Sequence, residues 1–230
     1  MSEFAASSLF FGPVISLLGY AIGMYLRKKT KLEIVNPLIV AIVFIIVVLN
    51  LFHIDYESYN ASAKYLSYLL TPATVALAIP LYQQLDLLKK NFLAVILGIL
   101  SGVISSLGSI LGLCVLFGVS HEYYVSLLPK SITTAIGISV AEELGGIPTV
   151  TVAAICITGI LGGMIGQAVC RLFRITEPIS VGLAHGTAAH AIGTSKAIEI
   201  GEVEGAMSSL SIAVAGVLTV IFASVFAGLH

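Results

Sequence analysis

The sequence predicts an all-α integral membrane protein built from two inverted repeats. Of its 230 residues, 58% are hydrophobic and only 10% are charged, whereas soluble domains carry about 25% charged residues. The apolar residues occur in runs of about 20, the length that crosses a hydrocarbon core of about 30 Å. We therefore expect one membrane domain over residues 1–230. Its pseudo-repeats, at about 1–117 and 118–230, would each have about three transmembrane helices plus a broken or re-entrant helical hairpin.

Two interrupted apolar stretches, about half the chain apart, have matching patterns. The stretch ATVALAIPLYQQLD in the first half aligns with GTAAHAIGTSKAIE in the second. Thr74 aligns with Thr187, and the helix breaker Pro80 aligns with Gly193. Secondary transporters are often built from two related halves whose interrupted helices form the substrate site. The alignment therefore indicates an internal repeat with a site at the two interruptions.

The first half begins with two predicted spans. Ser8–Leu26 precedes the basic cluster RKKTK, which places the following loop in the cytoplasm. Pro37–Ile54 is uniformly apolar and predicts a lipid-facing scaffold helix. The next apolar stretch, Tyr65–Leu88, contains Pro72 and Pro80, and proline interrupts a continuous helix. Because broken backbone at membrane depth needs a protein or water-filled environment, we expect a re-entrant hairpin or a broken crossing helix.

Small residues line the long span that follows, Asn91–Phe117, at helical spacing. They are Gly98, Ser101, Gly102, Ser105, Ser106, Gly108, Ser109 and Gly112. Small residues at such spacing allow helices to approach closely. We therefore favour a packing face over a pore lining.

The second half repeats this organisation. Its predicted elements are Ser131–Leu144, a break at Gly145, Gly146 and Pro148, a span at Thr149–Cys170, the interrupted stretch Pro178–Ile200 with a break at Gly193, and a last span at Gly205–Gly228.

Two topologies stay open. With re-entrant interruptions, Arg27 to Lys31, Lys130, Arg171 and Arg174 are cytoplasmic and Lys64, Lys89 and Lys90 lie outside. With crossing interruptions, Lys89 and Lys90 move inside and Lys130, Arg171 and Arg174 move out. The count of cytoplasmic cations slightly favours the first.

Hydroxyl residues at helix N-termini are the candidate anion ligands. A helix N-terminus offers unpaired N–H groups and the positive end of the helix dipole, and a Thr or Ser there adds a hydroxyl. We expect two or three such N-termini to meet near the midplane. The predicted substrate-binding residues are Thr74, Ser131, Thr133, Thr134, Gly186, Thr187, His190 and Thr194. The alternative is that these hydroxyls cap helices or bond the carbonyl one turn back.

Ionisable residues within apolar stretches are a second signal, because they are costly in a membrane and usually face a cavity. His190 is a candidate for binding a carboxylate or carrying a proton, and a core histidine is the alternative. The candidates for ion, proton or charge pairing are Lys130, Glu142, Glu143, His185 and Lys196. Lys130 would attract anions at a vestibule or be a solvated loop residue. For Lys196 we favour a structural ion pair.

Several classes of function are disfavoured. A net charge of −1 without a dense basic patch argues against nucleic-acid binding. His185 and His190 are five residues apart rather than four, and no HExxH motif occurs, so we expect no metal site. No nucleophile–histidine constellation is present, so we expect neither an enzyme nor a cofactor.

Five motifs follow one another along the chain: LAIPLYQQL from Leu77, LPKSITTAI from Leu128, GGIP from Gly145, GTAAHAIGT from Gly186, and EGAMSSLSIAVAGVLT from Glu204. With these motifs in this order, nearly the whole chain resembles the LrgB/CidB family of bacterial membrane proteins. The family is related to the membrane region of the plastid glycolate/glycerate transporter. The chain departs from the family pattern at Ala135 and His185.

The resemblance implies a multi-pass protein of the bacterial cell (inner) membrane, with one of two functions. The first is transport of small monocarboxylates of the pyruvate, glycolate or glycerate class. The alternative is an antiholin-like regulator of murein hydrolase activity and lysis that acts through membrane assembly. The implied partners are a small carboxylate substrate and an LrgA/CidA-like small membrane protein, in addition to the lipid bilayer. From the long spans we also expect a homodimer.

Overall fold

A computed structural model describes residues 8–30, 35–69, 72, 75–76 and 78–230, which form helices and no strand. In chain order the helices are α1 (Phe11–Thr30), α2 (Pro37–Leu51), α3 (Tyr56–Ala63), a 3-10 helix (Lys64–Leu69), α4 (Ala78–Gln83), α5 (Leu85–Lys90), α6 (Phe92–Phe117), α7 (His121–Leu127), α8 (Thr134–Glu143), α9 (Pro148–Leu172), α10 (Pro178–Ile200) and α11 (Glu202–Ala227). They form two compact units, residues 1–76 and 77–230.

In the first unit, α1 and α2 pack as an antiparallel pair through glycines. A Cβ added at Gly19 would lie 2.9 Å from the Phe44 ring, and one at Gly23 would lie 2.7 Å from Pro37. Helix α2 has 15 residues and ends before Ile54, where we expected the span to end, because His53 has a positive φ of 50°. This unit contributes none of the residues of the cavity described below.

In the second unit, α6, α9 and α11 are long and apolar enough to cross a membrane. Their ends follow from local chemistry. Gly118, with φ of 61°, closes α6, since glycine adopts the left-handed conformation easily. Pro148 occupies the first turn of α9, where its missing N–H would be unpaired anyway. A buried stripe on α6, including Val95, Ile99 and Val103, packs in the core of this unit.

Helix α10 is a hairpin of two helical arms that reverse direction at His190. This residue has φ of 41° and ψ of −132°, outside the helical region. The reversal brings Gly193 back against His185, because a Cβ added at Gly193 would meet the His185 carbonyl oxygen. In a straight helix these residues, eight positions apart, would be about 12 Å apart along the axis. We call residues 178–189 the first arm and 191–200 the second arm.

The tip of this hairpin lies at mid-depth. Along α11, the second-arm residue Thr194 bonds the Ser208 hydroxyl at 2.7 Å, six residues or about 9 Å from the start of that helix. Along α9, His190 bonds the carbonyl oxygen of Ile155 at 3.0 Å, seven residues or about 10 Å from the opposite end. The α10 hairpin therefore enters and leaves at the end of the unit where α11 begins.

Helices α7 and α8 form a second hairpin, which enters from the other end. Tyr124 in α7 donates a hydrogen bond to the carbonyl oxygen of Phe226 at 2.7 Å, near the last turn of α11. The segment 128–133 connects the two helices and reaches α6, where the Lys130 ammonium lies 3.2 Å from the Ser106 hydroxyl. Ser106 is eleven residues, or about 16 Å, from the end of α6 at Phe117. Helix α8 then returns toward the start of α9.

Both topologies considered from the sequence are wrong in one respect. They put Lys89 and Lys90 on the opposite side from Arg171 and Arg174, whereas the start of α6 and the end of α9 lie at the same end of the unit. The reason is that α8 has ten residues, about 15 Å, and forms one arm of a hairpin instead of crossing. Residues 118–230 therefore contain two long helices and two hairpins, and not three crossings with one hairpin.

Candidate functional site

A cavity of about 780 Å³ lies in the second unit, between α6 and α9 and against the first arm of α10. Its size falls in the usual range of small-molecule pockets. The lining residues are Ala94, Gly98, Gly102, Ser105, Ser106, Ser109, Lys130, Ser131, Thr158, Leu161, Gly162, Ser180, Leu183, Ala184, Thr187 and Ala188. All but one of them are small, apolar or hydroxyl-bearing, and the exception is Lys130.

Lys130 lies at the tip of the α7–α8 hairpin, half-buried. Its ammonium donates to the hydroxyls of Ser106 at 3.2 Å and Ser131 at 3.1 Å, and these hydroxyls are 3.1 Å apart. Within the described ranges, no carboxylate lies within 4.0 Å of this ammonium. A cation at membrane depth without a counter-ion is costly, so this arrangement favours a bound anion.

Thr187 is the second polar feature of the cavity. Its side chain is about nine-tenths buried, with 9% exposed. Its hydroxyl has no hydrogen-bond partner in the part of the chain that the structure describes. Because an unpaired buried hydroxyl costs about 1–3 kcal/mol, a ligand oxygen at this point would be stabilised.

The rings of His185, on the first arm, and His190, at the tip, pack against glycines of α9. A Cβ added at Gly159 would lie 2.6 Å from the His190 ring, and one at Gly166 would lie 2.9 Å from Nε2 of His185. Nδ1 of His185 bonds the carbonyl oxygen of Val181 at 2.9 Å, so Nδ1 carries the proton in this contact. Nε2 of His185 is buried and has no partner among the described residues. Neither histidine lines the cavity.

The remaining predicted ligands fall into three groups. Ser131 lines the cavity. Thr133 and Thr134 lie at the N-terminus of α8, without a side-chain cap bond, and do not line the cavity. Thr74 lies outside the described residues, as do residues 70–71, 73 and 77, so the predicted break at Pro72 stays a prediction. Pro80 lies in α4.

Gly186, Gly193 and Thr194 have packing roles that differ from those expected. We predicted a helix N-terminus at Gly186 and a break at Gly193, but both lie within helical arms and the break is at His190. A Cβ at Gly186 would meet the Ser208 carbonyl oxygen, so glycine is needed there for close backbone packing. The Thr194 hydroxyl donates to the carbonyl oxygen of His190 at 2.9 Å, which closes the first turn of the second arm.

The other predicted charged and breaking residues lie at the ends of helices. Lys196 forms an ion pair with Glu199 at 3.0 Å. Glu142 and Glu143 are exposed at the end of α8. Gly145, with φ of 78°, Gly146 and Pro148 separate α8 from α9. Ser126 accepts a hydrogen bond from the Ile147 N–H at 2.7 Å.

The described residues contain no group of three metal-ligating side chains.

Sequence reasoning missed the contribution of α6. We favoured a packing face for its small residues, yet Ser105, Ser106 and Ser109 line the cavity together with Gly98 and Gly102. For two of the glycines the predicted packing role holds as well, because Gly98 packs against Leu183 and Gly102 packs against Thr187. The available signal was the clustering of serines within one apolar span, which close packing alone does not require.

These features define a multi-pass membrane protein in which two hairpins enter from opposite ends and contribute residues to the lining of one cavity. The chain matches the LrgB-like family over residues 16–229 and belongs to that family. Antiholin-like protein LrgB of Bacillus mycoides (strain KBAB4) is 40% identical over 218 residues, which cover 94% of this chain and 95% of the relative. The proteins of that name from Bacillus cereus (strain B4264) and Bacillus anthracis (strain CDC 684 / NRRL 3495) match equally well. No solved structure gives a significant match.

Proposed function

We propose that the protein binds a small monocarboxylate, of the pyruvate, glycolate or glycerate class, in the cavity and carries it across the membrane. The observation that supports this most is that one cavity is lined by Lys130, whose ammonium has no carboxylate within 4.0 Å among the described residues, and by Thr187, whose buried hydroxyl has no partner there. The ammonium would attract the carboxylate, and the hydroxyl would donate a hydrogen bond to it. One cation and one monocarboxylate would form a neutral pair, which lowers the cost of charge at membrane depth.

The opposed hairpins support a carrier more than a fixed channel. Each enters from its own end, and both hairpins contact the same residue of α9. His190 bonds the carbonyl oxygen of Ile155, and a Cβ at Gly137 of α8 would lie 2.5 Å from the Ile155 side chain. Movement of one hairpin would open the cavity to one side while the other stays closed. The inverted-repeat relationship of residues 1–117 and 118–230, with Thr74 as the counterpart of Thr187, remains part of this proposal, as does a homodimer.

The test is uptake of labelled pyruvate and glycolate into proteoliposomes, with and without a proton gradient. We expect Lys130→Gln to abolish uptake, because the carboxylate loses its counter-ion. Lys196→Gln is the matched control, since that lysine pairs with Glu199 outside the cavity. Wild-type uptake by Lys130→Gln protein would contradict the proposed site. Absence of saturable uptake across a panel of small monocarboxylates by wild-type protein would contradict transport itself.

A second candidate is an antiholin-like regulator of murein hydrolase activity and lysis, acting with an LrgA/CidA-like partner. The name of the relatives, antiholin-like protein LrgB, which are 40% identical over 94% of the chain, favours it. This function would depend on assembly surfaces instead of the cavity. A strain carrying the Lys130→Gln protein would then keep normal control of lysis, whereas loss of that control together with uptake would tie both phenotypes to the cavity.

A further inference from the structure

Thr187 differs from most of the other hydroxyl residues on α10 and α11. In a helix, a Ser or Thr hydroxyl commonly donates to the carbonyl oxygen one turn back. Five residues in this region do so: Thr194 to His190, Ser195 to Ala191, Ser209 to Gly205, Ser211 to Met207 and Ser224 to Val220. The Thr187 hydroxyl does not, and has no partner among the described residues. Something other than its own helix therefore sets its orientation.

The contact that can set it comes from α6. A Cβ added at Gly102 would lie 2.7 Å from Cγ2 of Thr187 and 3.6 Å from Cβ of Thr187. The methyl group of Thr187 thus occupies the space that a side chain at position 102 would fill. Threonine in a helix divides between two χ1 rotamers because one of them lets the hydroxyl bond a preceding carbonyl. With the methyl group held against Gly102, the hydroxyl is left away from the Leu183 carbonyl.

We infer that Gly102 is a positioning residue: by accepting the Thr187 methyl group, it holds the Thr187 hydroxyl free to bind the carboxylate. This inference rests on the proposed function. It also accounts for a glycine in the wall of the cavity, where alanine would suit a helix better by about 1 kcal/mol.

Substitution of Gly102 by alanine puts a methyl group within 2.7 Å of the Thr187 methyl group. The backbone at both positions belongs to long packed helices, so rotation of Thr187 about χ1 is the easier adjustment. That rotation lets the hydroxyl donate to the Leu183 carbonyl, and the carboxylate loses a donor. Because a hydrogen bond to a charged group is involved, we expect the affinity for the anion to fall about 10- to 100-fold.

A double-mutant cycle with Thr187→Ser separates this effect from general damage. Serine keeps the hydroxyl and lacks Cγ2, so it has no methyl group to clash with alanine at position 102. We expect Thr187→Ser alone to weaken binding, because the serine hydroxyl turns freely. The loss should be smaller than in Thr187→Val protein, which has no hydroxyl at this position. In the Thr187→Ser background, Gly102→Ala should have no further effect. Gly108→Ala and Gly112→Ala are the controls, since a Cβ at either position meets nothing within 4 Å.

The measurements are the Kd of labelled pyruvate and of labelled glycolate for purified protein, and KM and kcat for uptake. Loss of affinity in Gly102→Ala protein, with kcat little changed and rescue by Thr187→Ser, supports the inference. Unchanged affinity in Gly102→Ala protein, or an equal loss in the Thr187→Ser background, overturns it while the proposed function stands. If wild-type protein binds neither anion, the proposed function fails and the inference fails with it.

If Gly102→Ala protein does not fold, the comparison of Thr187→Ser with wild type decides the matter. Weaker binding by Thr187→Ser supports a hydroxyl held in place through the methyl group. Wild-type affinity in Thr187→Ser protein shows that the methyl contact does not matter and overturns the inference.

Discussion

The ammonium of Lys130 lies 3.2 Å from the hydroxyl oxygen of Ser106, which joins the tip of the α7–α8 hairpin to the middle of α6. These residues are 24 positions apart in the sequence. The contact brings a cation from a hairpin connection to the wall of a cavity to which α10 contributes Thr187. Four predictions follow from this geometry and from the packing around it.

Removal of the Ser106 hydroxyl should weaken anion binding without abolishing it. In Ser106→Ala protein the ammonium keeps Ser131 as an acceptor but is held less firmly. We expect the Kd for pyruvate to rise about tenfold, by analogy with the loss of one charged hydrogen bond. Ser101→Ala is the control on the same helix, because the Ser101 hydroxyl donates to the Gly98 carbonyl and Ser101 does not line the cavity. An equal effect of both substitutions would contradict the role of Ser106.

Loss of the His190 ring should destabilise the α10 hairpin. The ring packs against Gly159 and Nε2 bonds the carbonyl oxygen of Ile155. We expect His190→Ala to lower the free energy of unfolding by about 2–4 kcal/mol, since a buried cavity is created and a hydrogen bond is lost. Thermal unfolding in detergent measures this. The exposed His121 serves as a control, and a Tm for His190→Ala equal to that of His121→Ala would contradict the anchoring role.

The reversal of α10 makes Gly193 intolerant of any side chain. A Cβ there would meet the carbonyl oxygen of His185 and lie 2.7 Å from the Ala189 Cβ. We therefore expect Gly193→Ala to cost at least 1–3 kcal/mol, the usual range for overpacking, and to reduce the yield of folded protein. Gly112→Ala, with open space around the added Cβ, should express and elute from size-exclusion chromatography like the wild type. A stable Gly193→Ala protein would argue against the hairpin.

The distribution of cations predicts the orientation of the second unit. Lys89, Lys90, Arg171 and Arg174 lie at the end where α6 begins and α9 ends. Across residues 78–230, all of which the structure describes, the other end carries Glu122, Glu142 and Glu143 but no Lys or Arg. Cytoplasmic loops are enriched in Lys and Arg, so the first end should face the cytoplasm.

Cysteine labelling checks this orientation. In protein whose three native cysteines are replaced, Ser180→Cys should react with a membrane-impermeant thiol reagent only from the cytoplasmic side. Ser120→Cys, at the opposite end, should react only from outside. The reverse pattern would invert the orientation, and labelling of both from one side would contradict the antiparallel arrangement of α6 and α9.

Much of the architecture could be predicted from the sequence because the bilayer restricts it. Long apolar runs must be helices, since backbone groups have no other partner in lipid. The predicted spans at Asn91–Phe117, Thr149–Cys170 and Gly205–Gly228 therefore agree with α6, α9 and α11 within a few residues. Polar residues of the shorter or interrupted segments were also predicted to form a site, and three of them, Lys130, Ser131 and Thr187, line the cavity.

The tertiary structure decided which apolar segments cross and which hydroxyls are free. Helix α8 is a hairpin arm, and the reversal of α10 is at His190 instead of Gly193, because backbone contacts with α9 and α11 outweigh the local preference of glycine. Likewise, Thr194 and Thr187 look alike in the sequence, yet the Thr194 hydroxyl is paired with His190 and Ser208, while the buried Thr187 hydroxyl has no partner among the described residues. Composition determines that a side chain is polar and lies in the membrane. Whether that side chain finds a partner depends on neighbours far away in the chain, such as Gly102, and only folding brings them together.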